Sequence, residues 1–319
     1  MPEFILHVGL PKTATTQMQT NFFPKLGSIM YLGKLHDGLP PKRPFDDIRK
    51  AYTNFQTGKS FLNLIDQFFS AECTKGSRNI LVSDEGFMAW RNPKMEHASP
   101  FVSFSNPAVD VVRDGTHPIV EFIRICKKRL PQGSSLKVII TIRNQADFLG
   151  SLIAQTGFVR HGLVRDLVRS GDRFMHFSDT VKGLSCVLGE ANLLILFFEH
   201  GLQKNCLRIS EFIGSELNEE LIDDSFRNKR QISEGVWLSK PAHPRFIGSL
   251  FVALNRSKIG IKILQLIGPC LPYLKNLIPK RKLKVKFDDR ELSLLKSQYS
   301  LDNQELAQFT GFDLKKIGY

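Results

Sequence analysis

The residues best suited to chemistry stand near the N-terminus, in the stretch FILHVGLPKTATTQ. Gly9, Pro11 and Lys12 are followed at once by Thr13, Ala14, Thr15 and Thr16. An apolar run that stops at a glycine and passes into a helix start exposes unpaired backbone N–H groups and the positive end of a helix dipole. Gly9 lets the backbone approach a ligand closely. Pro11 fixes the chain and cannot donate, Lys12 adds a mobile positive charge, and the threonines supply hydroxyls. This set suits a phosphate or sulfate group. The alternative for the same residues is an ordinary strand–helix turn with a surface lysine.

Three further places carry ionisable residues directly after apolar runs: Asp84 and Glu85 after RNILVS, Arg143 after SSLKVIITI, and Glu199 after ANLLILFF. An arginine leaving a strand edge makes a bidentate phosphate clamp. Ser151 follows Arg143 by eight residues, about two turns into the next helix, on the face that looks back at it. Glu85 is the first candidate for a general base, with Asp84 second. Its structural alternative is an ion pair with Lys12 or Arg143, or a helix cap. Glu199 is read as ordering the loops, and His7 as a hydrogen-bonded core histidine.

These residues need a frame. EFILHVG, SIMYLG, RNILVS, SSLKVIITI and ANLLILFF read as strands, short and β-branched, with helical patterns between them. Helices are expected over Thr13–Phe23, twice within Phe45–Phe69, in HPIVEFIRICKKRL, over Asp147–Phe158 and through CLRISEFIG. Alternating strands and helices predict a three-layer α/β/α domain with a central, mainly parallel sheet. Such sheets bind ligands at the carboxyl ends of their strands. Lys12, Asp84, Glu85, Arg143 and Glu199 all fall there. Strands are expected to stop after about Leu221. The chain thus reads as one domain over 1–319, with an α/β core over 1–220 and a helical C-terminal part over 221–319. KRKLKVK near Arg281 reads as a solvated basic linker.

Composition sets bounds. Of 319 residues, 42% are apolar and 24% charged, as in a soluble globular protein with a sizeable core. The net charge of +13 favours anionic partners without choosing among them. The five cysteines form no CxxC pair, which points to a reducing, cytoplasmic setting with free thiols and no zinc site. No signal peptide is expected ahead of Phe4. The stretch 259–278 is too broken by Pro269 and Pro272 to span a membrane. It reads as a helix pair on the core; peripheral contact with the inner membrane is the alternative.

The loop is too short for the common nucleotide-binding pattern G-x-x-x-x-G-K-[ST], and Pro11 stands where that pattern has glycine. The shorter form, G-x-P-K-[ST]-x-[ST]-[ST], resembles the 5′-phosphosulfate loop of sulfotransferases that use 3′-phosphoadenylyl sulfate (PAPS). Arg143 and Ser151 match that family's 3′-phosphate pair in type, order and spacing. Ser83–Phe87 resembles an S-x-E-G-F-like stretch of bacterial members. LLILFFEHG resembles the family's strand and glutamate, and YSLDNQELAQFTGFDL a C-terminal turn, short helix and G-[LF]-D-L ending. The resemblance implies a P-loop-like fold and transfer of a sulfuryl group from PAPS to a carbohydrate or glycolipid hydroxyl, with no metal and no nucleic acid. It implies that Lys12, Thr13, Ala14, Thr15, Thr16, Arg143 and Ser151 hold the donor and that Arg230, beside Arg227 and Lys229, reaches the 3′-phosphate. Lys12 and Glu85 then do the chemistry. The aromatic stretch Trp90–Phe104 is an acceptor wall or loop packing. A Mg²⁺-dependent P-loop kinase or ATPase and a non-catalytic anionic-glycan-binding protein remain the other readings.

Overall fold

Five apolar runs pair in parallel to form one sheet: β1 (Glu3–His7), β2 (Ile29–Leu32), β3 (Asn79–Ser83), β4 (Ser135–Ile142) and β5 (Leu193–Phe197). Their order is β2-β3-β1-β4-β5, so the strand that feeds the glycine loop is central. The coordinates are a computed structural model describing residues 2–10, 13–33, 47–48, 59–74, 79–84, 118–156, 176–216, 236–241, 280–285 and 287–319.

Alternation along the strands sends side chains into two cores. Phe4, Leu6 and Val8 of the first strand and its extension join Ile80, Val82, Val138 and Ile140 on one face. That face is covered by α2 (Lys59–Thr74), α3 (Pro118–Arg129), α4 (Gln145–Thr156), α5 (Phe177–Leu188) and α7 (Asp289–Thr310). Ile5, Leu81, Ile139, Leu194 and Leu196 point the other way, under α1 (Thr15–Gln17), its continuation, and α6 (Leu202–Ile213). The result is the expected α/β/α sandwich, and it explains why the strands are almost wholly apolar. Phe4, fully buried against Phe68 and Phe69, shows how little slack there is; truncating such a side chain costs about 3–5 kcal/mol.

Several elements differ from the sequence expectation. The helix expected over Thr13–Phe23 starts at Thr15, widens into a π-helical turn at Met18–Phe22 and tightens into a 3₁₀ turn at Phe23–Lys25. The Thr20 hydroxyl donates to the Thr16 carbonyl at 2.9 Å, a bond that competes with the backbone ladder, and Pro24 has no N–H to continue it. Strands do not stop at Leu221. β6 (Val236–Pro241) and β7 (Lys280–Val285) pair antiparallel, with Val236 opposite Val285 and Leu238 opposite Leu283. The basic run read as a solvated linker is therefore a strand; lysines recur at every second position, 280, 282 and 284, with Leu283 and Val285 between and after them, and charge concealed that pattern.

The C-terminal helix is also long, not short. α7 runs through Tyr299–Asp302 without a turn, from a capping box at Asp288 and Glu291 to a left-handed Gly311. Asp302, at its middle, is buried because it caps another helix. Its carboxylate accepts from Phe177 N (2.8 Å) and Ser178 N (2.9 Å) at the start of α5, whose own N-cap residue makes no side-chain cap. The next residue, Asn303, accepts from the Gln145 amide at 2.7 Å. One helix late in the chain thus holds the starts of both α5 and α4, and α4 begins two residues after Arg143.

Candidate anion-binding site

At the carboxyl edge of the sheet, the first strand continues beside the fourth. Val8 N donates to Ile139 O and Leu10 N to Thr141 O, each at 2.9 Å. The loop therefore leaves the sheet one residue short of Arg143's level. Gly9 has no room for a side chain there. A Cβ would lie 3.0 Å from Thr15 Cγ2 and 3.2 Å from both Thr13 Oγ1 and Thr141 Cβ. Thr13 is buried and its hydroxyl donates to Leu10 O at 2.6 Å, closing the turn. Ala14 sits at φ 59°, ψ 14°, in the left-handed region. For a residue with a Cβ this costs about 1–2 kcal/mol. The strained residue stands immediately before the first helical turn. Thr15 is buried and Thr16 exposed, so the threonines divide between support and surface.

Beneath the loop the apolar face of α1 and α6 ends in a polar row. His7 pairs with Ser83 in register, Thr141 lies two residues beyond His7's partner Ile139 on β4, and all three are buried. His7 Nδ1 lies 2.7 Å from Ser83 Oγ and Nε2 3.3 Å from Thr141 Oγ1. Gln19, brought inward by the π turn, donates to Ser83 Oγ at 2.9 Å and to Ser83 O at 3.3 Å. His7 is the satisfied core histidine expected. Its partners tie the tips of β1, β3 and β4 together, as does the Asp84 N to His7 O bond of 3.1 Å. Asp84 itself is buried at the edge.

Arg143 is buried at the tip of β4, its guanidinium carbon 4.3 Å from the Phe198 ring centroid, a cation–π contact that holds the fork flat. Burial pushes its pKa down, and the negative charges of Asp147 and Glu199 oppose that shift. An arginine stays protonated under such pressure. Glu199 orders the neighbouring loop: Asn144 N donates to Glu199 Oε1 at 2.7 Å. Asn144 in turn caps α4, accepting from Ala146 N (3.0 Å) and Asp147 N (3.3 Å), and donates to Gly318 O at 2.6 Å. The Tyr319 hydroxyl donates to the second carboxylate oxygen of Glu199 at 3.2 Å. Burial is the largest effect on Glu199 and raises its pKa; the Asn144 bond, the Arg143 charge and the Tyr319 bond hold it down.

Among the expected site residues, the structure thus describes Thr13, Ala14, Thr15, Thr16, Arg143 and Ser151. The first four lie at the loop and the last two on the adjoining β4–α4 unit, with Ser151 partly buried in α4. Lys12, Glu85, Trp90–Phe104, Arg227, Lys229, Arg230 and 259–278 lie outside the described residues. Sequence reasoning missed Asn144, although an Asn just before a helical pattern is a cap signature. It also missed Gln19 and Tyr319, whose roles depend on partners 64 and 120 residues away. Among the described residues no three His, Cys, Asp or Glu side chains form a metal-ligand group, and no helix is long and apolar enough to cross a membrane.

No protein-family model matches the chain, and no curated protein matches it by sequence. Among solved structures, a sulfotransferase from Alicyclobacillus acidocaldarius is similar at TM-score 0.42 and 13% identity, covering 73% of this chain and 89% of its own. That likeness is too loose to transfer any residue role.

Proposed function

We propose that the protein is a sulfotransferase that moves a sulfuryl group from PAPS to a hydroxyl of a carbohydrate or glycolipid. The observation that carries this reading is the pairing of two anion-binding features on adjacent central strands. A tight glycine turn leading into a helix start follows β1, and a buried arginine packed on Phe198 follows β4. A donor with phosphates at both ends of its nucleoside needs two such places, and the close packing at Gly9, which admits no side chain, keeps the loop tight against the helix start.

In this reading the amides and hydroxyls of Thr13–Thr16 hold the 5′ end, while Arg143, Ser151 and Arg230 hold the 3′-phosphate. PAPS supplies the activated sulfuryl group. Lys12 places its charge where the leaving phosphate oxygen becomes negative, and Glu85 accepts the proton of the attacking hydroxyl. The acceptor oxygen–sulfur bond forms as the sulfur–phosphate oxygen bond breaks, leaving 3′-phosphoadenosine 5′-phosphate (PAP) and a sulfate ester. Positioning and fixed charge do the work, as in phosphoryl transfer.

Calorimetric titration tests the reading. PAP is expected to bind without added metal, and ATP with Mg²⁺ to bind more weakly or not at all. Binding of ATP–Mg²⁺ with none of PAP would overturn it in favour of a nucleotide kinase or ATPase.

A further inference from the structure

Gln19 is an unexpected residue for its surroundings. It is 1% exposed, in a turn whose neighbours Met18, Phe22 and Phe23 all enter the apolar core beside Leu81. Its side-chain nitrogen donates twice, to Ser83 Oγ at 2.9 Å and to Ser83 O at 3.3 Å. Its Oε1 is buried with no hydrogen-bond partner among the described residues. A buried acceptor left unmet destabilises a fold, and a methionine of about the same size would avoid that. The backbone is unusual as well. Gln19 enters through the π turn at Met18–Phe22, a geometry rare in general and frequent at functional sites. Residue and turn both cost stability at one place, directly after the Gly9–Thr16 loop.

The two bonds form a tether. On the β4 side the loop is fixed by backbone, since Leu10 N donates to Thr141 O. Toward β3, the segment that follows the loop packs on the sheet through Met18, Phe22 and Phe23. Apolar contacts of that kind are non-directional and resist separation better than sliding. One amide bonded to both the carbonyl and the hydroxyl of Ser83, the last residue of β3, supplies direction. We propose that Gln19 is a positioning residue for the donor's 5′ end: by pinning the segment after the loop to Ser83, its amide sets where Thr13–Thr16 meet the 5′-phosphate. The inference rests on the donor reading above. It accounts for a polar residue and a wide turn that the apolar core alone does not call for.

The test titrates two nucleotides into the full chain and into Gln19→Met, which keeps the bulk and removes the amide. PAP and adenosine 5′-monophosphate (AMP) share the 5′-phosphate, and only PAP carries the 3′-phosphate. Gln19→Met is expected to bind both about fivefold more weakly while Tm stays level or rises, because the unmet acceptor is gone. Ser83→Ala leaves the amide one partner and should weaken both nucleotides by a smaller factor. The double variant should bind no more weakly than the weaker of the two single variants, since both act through one contact. Unchanged affinities, a loss for PAP alone or additive losses overturn the proposal. A Gln19→Met protein that loses Tm or does not fold makes the role merely structural and overturns it too. All of these leave the donor reading intact. A parent protein that binds neither PAP nor AMP overturns that reading and this inference with it.

Discussion

The two ends of the candidate site are built on opposite plans. The loop after β1 is supported from directly below, by a polar row on the three central strands, and its own turn is closed by Thr13 within three residues. Arg143 is supported from the side, by Phe198, Glu199 and residues 318–319. The loop offers backbone amides in a shape that a single added methyl group would disturb. The arginine offers a long side chain whose direction is set by neighbours far along the chain. A cradle of amides is fixed once the strands pair; a side-chain clamp also needs the late segments to dock.

The largest test of this contrast is Lys12→Ala. It removes the one mobile charge from the loop, and transfer should fall at least about a hundredfold while PAP binding weakens but survives. Equal activity would remove Lys12 from its role. Arg143→Ala should weaken PAP by about 2 kcal/mol, roughly thirtyfold, and leave AMP nearly unaffected. Gly9→Ala should behave in the opposite way. Crowding against Thr13, Thr15 and Thr141 costs about 1–2 kcal/mol of stability and weakens PAP and AMP alike. If Gly9→Ala and Arg143→Ala gave the same PAP-to-AMP selectivity, the two ends would not be distinct.

The smallest effect is a pH dependence at the arginine end. Burial raises the native pKa of Glu199 above its unfolded value, so the native state holds that proton more tightly. Stability from this source is fully present below the ordinary carboxylate range and is lost as pH rises through the raised native value. Glu199→Gln cannot titrate. The parent should therefore lose Tm relative to Glu199→Gln as pH rises above the ordinary carboxylate range, by about 2 °C or less. A difference that grows in the parent's favour over that range would mean that the Arg143 charge outweighs burial.

The contrast also governs what the sequence could reveal. The loop and all five parallel strands are legible because their signals are local: β-branched runs, a glycine stop, threonines at a helix start. Arg143 and Ser151 are legible as a spaced pair for the same reason. The clamp's supports are not. Asp302 sits mid-helix in a stretch that resembles a turn, and only the fold shows that it caps Phe177 and Ser178. Tyr319 is one residue after a glycine, with nothing around it to mark a partner 120 positions earlier. The ribbon of β6 and β7 escaped because four basic residues among six overwhelmed a period of two.

The widened turn at Met18–Phe22 has a consequence for evolution of the loop. An extra residue in one turn shifts the angular phase of everything after it, and here the shift leaves Gln19 on Ser83 while Phe22 and Phe23 still enter the core. Deleting one residue from this turn would restore an ordinary helix and leave Gly9–Thr16 untouched. It would also take Gln19 off Ser83, because the wide turn is what brings it there. The residue count between the loop and Phe23 is therefore a constraint of its own, beside the loop's chemistry.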